Sequence, residues 1–282
     1  LGDVYKRQGD ALSVVFEGVG ADIAVDIWNA LVEWIYNTVF DAVADLFTSM
    51  NNMGAEIFSL SWVNAVVRLF TLFGWALFTV GVVGAVFEVA IESQSGRVSI
   101  KGAALNVLKG FFACALVSVV PIELYKFCVT LQNTFAGDLT RIFAGSQAAS
   151  FGEFVAFVLR TAFLLPDTAT AGLKLLCFLI AFAYCTIKVF FANIKRGGIL
   201  LIQMAVGELY MFSLPRGFDD GFNQWCKQVA AICLTAFLQT TLLFLGMMSF
   251  QTDMLLGMGI MLAANEVPRI AQQFGLDSSV RV

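Results

Sequence analysis

Five polar side chains lie inside otherwise apolar stretches of this chain, and their types could support chemistry: Glu208, Lys188, Gln203, Gln239 and Glu123. A charge at the centre of a bilayer costs roughly 2.5–3.5 kcal/mol, so Glu208 should face protein or water. Because one carboxylate does not make a proton relay, we expect a structural role, either an ion pair with Lys188 on an adjacent helix or a place at the interface; the alternative is a pore-lining or proton-coupled acid. The two glutamines are predicted to bond across helices, with pore lining as the alternative.

The rest of the sequence offers little for catalysis or for metal binding. It contains no histidine, which is the commonest general base and the commonest zinc ligand. Its six cysteines include no C-x-x-C pair, and in apolar stretches cysteine behaves as a small hydrophobe. A Gly-rich phosphate loop and a G-x-S-x-G motif are both absent from the sequence. We therefore predict no catalytic residue, no metal site, no cofactor and no enzyme activity.

The elements that must position these residues are predicted to be membrane-spanning helices. Hydrophobic residues make up 59% of the chain and charged residues 13%, about half of the roughly 25% charged residues of a soluble domain. The stretch from Gln228 to Thr252 contains no Asp, Glu, Lys or Arg. As a helix it would be about 37 Å long, enough to cross a hydrocarbon core of about 30 Å. In lipid only a helix satisfies such a backbone internally.

Four further apolar blocks complete a predicted membrane domain over residues 61–265. They lie at roughly 63–91, 103–129, 172–194 and 199–214. A basic hairpin turn at 195–198 is predicted to separate the last two, and Pro121 predicts a kink or a helix end in the second. Two shorter apolar pieces, 154–165 and 254–265, have lengths more typical of interfacial or re-entrant segments. The sequence thus predicts an all-α, polytopic membrane protein with five transmembrane helices, or six or seven if these pieces cross.

An acidic amphipathic region, residues 9–60, precedes the predicted spans. Between Asp10 and Glu56 there are acidic residues but no Lys or Arg. At 100° per residue, one arc of about 140° holds acidic residues and the opposite side apolar ones. These are Asp22, Asp26, Glu33, Asp41 and Asp45 against Val25, Trp28, Val32, Ile35, Val39, Val43 and Leu46. We predict a helix over about 21–48 that lies on the membrane or against other helices. The alternative is a solvated face without a partner.

Residues 1–8 are expected to be an adapter-derived scar. The segment Asp3–Gln8 (DVYKRQ) resembles the translation of a transposase adapter used in sequencing libraries. These residues are therefore not expected to contribute to the fold.

The last third of the chain carries a family resemblance. The segments KRGGILLIQMAVGELYMFSLPRGFDDGFNQWCKQ, LTAFLQTTLLFLG and MLAANEVPRIAQQFGLD, from Lys195 onward, resemble TrbL-type polytopic membrane components. These belong to conjugative type IV secretion systems in Gram-positive integrative conjugative elements. Because such proteins commonly continue past this point, the polar tail at 266–282 is expected to be truncated.

The resemblance implies a multi-pass protein of the bacterial cytoplasmic membrane, acting as a non-catalytic channel or scaffold subunit of a DNA transfer machine. It implies an oligomer that works beside other type IV secretion subunits, including ATPases that energise transfer of a relaxase-linked single DNA strand. Direct DNA contact is unsupported, since the formal net charge is −4 and no basic run is present. Two other readings stay open: a small-solute transporter or permease subunit, favoured by Glu208, Lys188 and Glu123, and a phage- or toxin-associated pore.

Overall fold

The described part of the chain is entirely helical apart from short connections. The computed structural model describes residues 23–47 except 24 and 29, residue 49, and residues 55–94, 96, 99–144, 151–162, 169–250 and 252–273. Within these ranges it contains no strand, and the predicted all-α fold is confirmed. The predicted scar at 1–8 and the end of the predicted tail, 274–282, lie outside the described residues.

Nine α-helices and three 3-10 turns make up the described residues. The helices are α1 (25–47), α2 (Ser61–Gln94), α3 (Ile100–Leu116), α4 (Val120–Ala144), α5 (Phe151–Ala162), α6 (Ala169–Leu209), α7 (Asp220–Ser249), α8 (Met254–Ala264) and α9 (Val267–Gln273). The 3-10 turns are Glu56–Ser59, Tyr210–Phe212 and Leu214–Arg216.

Among the described helices, three are long and apolar enough to cross a membrane. They are α2, α7, and α6 together with the 3-10 turns that continue it to Arg216. The pair α3 and α4 passes the same test as a fourth span, bent by 51°. The bend comes directly before α4, whose first turn contains Pro121, where the missing N–H of proline costs no hydrogen bond. The prediction of a polytopic membrane protein is confirmed.

The predicted hairpin turn at 195–198 is wrong. Helix α6 runs through these residues without a break for 41 residues, a length of about 61 Å. Each glycine inside a helix costs about 1 kcal/mol. A break in apolar surroundings would instead leave backbone groups unpaired at several kcal/mol each. The two predicted spans at 172–194 and 199–214 are therefore one helix, and the predicted five spans become four at most.

The two short apolar pieces fold back onto the bundle. Helix α8, the predicted 254–265 piece, has 11 residues and is about 16 Å long, too short to cross. It packs along α7, where a Cβ added at Gly246 would lie 2.9 Å from the carbonyl oxygen of Gly257. Helix α5, over most of the 154–165 piece, has 12 residues and contacts α4 and α7.

The buried apolar residues form two cores that lie one after the other along the bundle. Core A contains Phe47, Phe154, Phe182, Phe244 and Met258, among others. Core B contains Phe78, Val117, Met204, Met211 and Trp225, among others. Helices α4, α6 and α7 contribute residues to both cores, whereas α1, α5 and α8 pack in core A and α2 and α3 in core B.

The predicted amphipathic helix at the N-terminal side lies against other helices as α1. Its buried stripe is Val32, Tyr36, Phe40, Val43 and Phe47, at spacings of three and four residues, and it belongs to core A. The stripe is rotated from the predicted apolar side: Val25 and Trp28 are exposed. The acidic residues of α1 that the structure describes face outward.

Small residues on α2 let the chain that follows α6 approach its backbone. A Cβ added at Gly81 would lie 2.6 Å from the Phe212 carbonyl oxygen. A Cβ at Gly74 would collide with the side chain of Glu208. This close approach fixes the end of α6 against α2.

Gly81→Ala should therefore lower the melting temperature of the detergent-solubilised protein, since a backbone carbonyl cannot swing aside; overpacking of this kind costs about 1–3 kcal/mol. Gly84→Ala is the matched control. Its added Cβ would meet Cδ of Arg216 at 3.5 Å, an ordinary contact, and replacing a helical glycine gains up to about 1 kcal/mol. Equal shifts in the two variants would contradict the close packing of α2 on the 3-10 turns.

Candidate functional site

A network of buried polar side chains joins the middle of α6 to the middle of α7. The guanidinium of Arg196 donates through Nη1 to Oδ1 of Asn193 at 2.6 Å and through Nη2 to Oε1 of Gln239. Asn193 donates through Nδ2 to Oγ1 of Thr240 at 3.1 Å. Gln239 donates through Nε2 to the carbonyl oxygen of Ala264 at 2.9 Å. The four side chains are buried, and Arg196 is only 7% exposed.

These four residues and Gln132 of α4, also buried, form a polar layer between the two apolar cores. In α6, Arg196 falls between Val189 of core A and Leu200 of core B. In α7 and α4, the residues of the layer likewise fall between positions that belong to the two cores. Each of the three helices that pass through both cores thus places a polar side chain at the boundary.

The charge of Arg196 is held without a carboxylate. Among the described residues, no Asp or Glu oxygen forms an ion pair with its guanidinium. Amide oxygens accept its protons instead, and Gln239 links it to Ala264, the last residue of α8. The unpaired carbonyls at a helix C-terminus carry partial negative charge, which favours a nearby cation. The layer therefore ties α6, α7 and the end of α8 together.

Arg196 is not among the site residues predicted from the sequence, because the prediction placed it in a turn. A signal was nevertheless present: Asn193, Arg196 and Gln203 recur at spacings of three and seven residues in an apolar segment. In a helix these positions share one face. The structure shows that face buried, and its two intervening glycines lie inside the helix.

Gln203 also bonds across helices, one level further along α6. Its Nε2 donates to Oε1 of Gln228 at 3.3 Å, and its backbone carbonyl accepts from Nε1 of Trp225 at 2.6 Å. The indole ring fits because residue 207 is glycine; a Cβ there would lie 2.7 Å from the ring. Gln203 and Gln239 are thus both engaged in contacts between helices.

Glu208 is completely buried where α6 packs on α2. Neither carboxylate oxygen has a hydrogen-bond partner among the described residues. The hydroxyl of Thr71 on α2 lies near the carboxylate. It donates its hydrogen to the carbonyl oxygen of Val67, 2.9 Å away. Gly74 leaves the space that the carboxylate occupies. Burying a charged carboxylate without hydrogen-bond partners is energetically costly. Among the described residues that lack partners for buried side-chain atoms, Glu208 is the one carboxylate.

The predicted ion pair between Glu208 and Lys188 is wrong. Because α6 is continuous, the two residues lie on the same helix and about 30 Å apart along its axis. Lys188 is exposed, with its ammonium 5.6 Å from the centre of the Tyr184 ring. Glu123 is also exposed and pairs at 3.0 Å with Lys126 in the first turns of α4. The structure therefore does not bring the predicted charged residues into one site.

An ion pair between Arg216 and Glu88, not predicted from the sequence, fixes the loop after α6. Arg216 contacts Glu88 of α2 at 2.5 Å, and its guanidinium lies 5.1 and 5.4 Å from the ring centres of Phe212 and Phe218. Both charged side chains are partly buried, so salt screens their attraction less than it screens that of a fully exposed ion pair.

In the described part of the chain, no cluster of three His, Cys, Asp or Glu residues could hold a metal ion.

Gln239→Leu should destabilise the protein strongly. The substitution leaves a buried guanidinium donor and the Ala264 carbonyl without their shared partner, at an expected cost of about 2–4 kcal/mol. Thermal unfolding in detergent measures the loss. Gln224→Leu, at an exposed position of the same helix, is the control and should change the melting temperature little. A small effect of Gln239→Leu would show that the layer does not hold α8 in place.

Comparison with known proteins identifies the family. A family model described as conjugal transfer protein TrbL matches residues 19–282, which include every residue that the structure describes. No curated protein and no solved structure matches the chain. The TrbL family is a structural component of secretion systems and is not a known enzyme family. The resemblance seen in the sequence is thereby confirmed, and the chain belongs to the TrbL family, as a membrane component of a conjugative type IV secretion system.

Proposed function

We propose that this chain is a non-catalytic channel or scaffold subunit in the cytoplasmic membrane of the donor cell. The observation that carries the proposal is the family match over residues 19–282, joined to a bundle in which Asn193, Arg196 and Gln239 bond between helices. Arg196, Gln203 and Gln239 are engaged in holding the bundle together, which is what a scaffold requires.

The channel, in this proposal, is shared between subunits. The axis of the described bundle is filled by cores A and B, with the polar layer between them. A DNA strand would therefore pass between copies of the chain, or between it and other subunits. Helix α2 offers a surface for such assembly or for lipid, since its outer side exposes Leu69, Leu72, Val83, Val86 and Phe87. The subunit would be oligomeric.

The chain would divide into a docked N-terminal region (9–60), a membrane domain (61–265) and a tail (266–282). Helix α1 supports the first part of this division, because its buried stripe joins core A while its acidic side chains face outward. That acidic face, in a chain of net charge −4, suits protein partners better than DNA. The partners we propose are other secretion subunits, including the ATPases that energise transfer.

Deletion of the gene in a donor cell should abolish conjugal transfer, and the full-length gene supplied in trans should restore it. Glu208→Gln should restore transfer too, because a subunit without proton chemistry needs only the shape of this side chain. Gln239→Leu should restore transfer only in part, and the transfer rate should fall with the amount of the variant in the membrane, measured by immunoblot. Unchanged transfer in the deletion strain would refute the proposal.

A proton-coupled transporter is the second candidate, and the buried, unpartnered carboxylate of Glu208 is the observation that favours it. In that case Glu208→Gln, present at normal level in the membrane, should abolish solute flux in reconstituted vesicles. It should also fail to restore any phenotype of the deletion. Wild-type behaviour of this variant in both assays would remove the transporter from consideration.

A further inference from the structure

An open apolar groove lies beside the bend between α3 and α4. It has a volume of about 570 Å³, within the range of about 300–1,000 Å³ typical of small-molecule sites. Its floor and walls are largely apolar, with Phe112, Leu116, Val120, Phe222 and Trp225 among the lining side chains. The groove exists because the chain bends by 51° between the two helices while α7 begins alongside.

The groove is open to the surroundings of the protein beside the bent helix pair that is the fourth candidate span. Phe112, Leu116 and Val120 are each about half exposed, so their outer sides face the medium that surrounds the bundle. Since α3 and α4 together form a candidate span, that medium is lipid. An acyl chain is the apolar group available there.

Lys109, a charged residue at the rim of the groove, forms a long ion pair without hydrogen-bond contact. Lys109 lies in the middle of α3 between apolar residues, and its side chain is 63% exposed. Its ammonium is 3.9 Å from the carboxylate of Asp219, beyond hydrogen-bond distance. A lysine within a span requires an anionic partner, and three donors are available on its ammonium.

We propose that this groove binds a phosphatidylglycerol molecule of the bilayer. One acyl chain lies in the groove, the phosphate accepts from the ammonium of Lys109, and the headgroup hydroxyls donate to the Asp219 carboxylate. Both charges at the rim then have a complementary group on one lipid, which a choline headgroup, lacking a hydrogen-bond donor, does not offer. The bound lipid fills the space between the bent helix pair and α7. This proposal does not depend on the role of the chain in transfer.

Trp225 is a built-in reporter, because it lines the groove. Replacing the other four tryptophans, Trp28, Trp34, Trp62 and Trp75, by phenylalanine in the full chain leaves it as the sole indole. This parent protein is reconstituted in phosphatidylcholine bilayers, and dibrominated phosphatidylglycerol or dibrominated phosphatidylcholine is titrated in. Bromine on an acyl chain quenches an indole that lies close to it.

We expect half-maximal quenching at about a fivefold lower mole fraction of brominated phosphatidylglycerol than of brominated phosphatidylcholine, as one lysine–lipid contact predicts. Lys109→Gln should remove this preference and Lys109→Arg should keep it. Lys101→Gln, on the same helix but outside the groove, is the matched control and should keep it. Ala113→Leu, which narrows the groove, should weaken quenching by both lipids.

Equal quenching by the two lipids in the parent protein would overturn the proposal. So would a preference that survives in Lys109→Gln. Quenching by both lipids that is unchanged in Ala113→Leu would show only the ordinary lipid shell, and would overturn it as well.

Discussion

The buried charge of Arg196 is the constraint on which the bundle depends. A guanidinium stays charged in a protein, so its burial is tolerated only where enough acceptors surround it. Asn193 and Gln239 supply these acceptors, and Gln239 in turn needs the end of α8. Directional hydrogen bonds therefore contribute to the position of α8 relative to α6 and α7, whereas apolar packing alone is more tolerant of alternatives.

The polar layer also explains why two apolar cores can share three helices. Apolar contacts are tolerant of sliding, because one leucine replaces another at little cost. The hydrogen bonds of the polar layer between α6 and α7 fix the register of these two helices. The apolar residues on either side of the layer then pack into the two cores. Closer to the C-terminal end of α6, the indole N–H of Trp225 also links α7 to α6, by donating to the backbone carbonyl of Gln203. The ion pair of Arg216 with Glu88 does the same for the loop after α6.

Much of the architecture followed from the sequence, and the exceptions have one cause. The uncharged stretch within α7, the span within α2 and the acidic amphipathic α1 were predictable, because composition and periodicity act within one element. The continuity of α6 was not, since a basic residue followed by two glycines is locally a turn signal. Gln239, which accepts from Arg196 in the continuous helix, lies on another helix far along the chain. For the same reason, the Gly74 site that receives Glu208 could not be inferred from either residue alone.

The unbroken length of α6 has a mechanical consequence. At about 61 Å it is roughly twice as long as the hydrocarbon layer is thick, so it must tilt steeply or project from the bilayer. A helix is stiff along its axis, and this one is gripped at its far end by α2 and the 3-10 turns. Because the helix does not break between the two cores, a displacement of its core A end would be transmitted along the axis to its core B end beside α2.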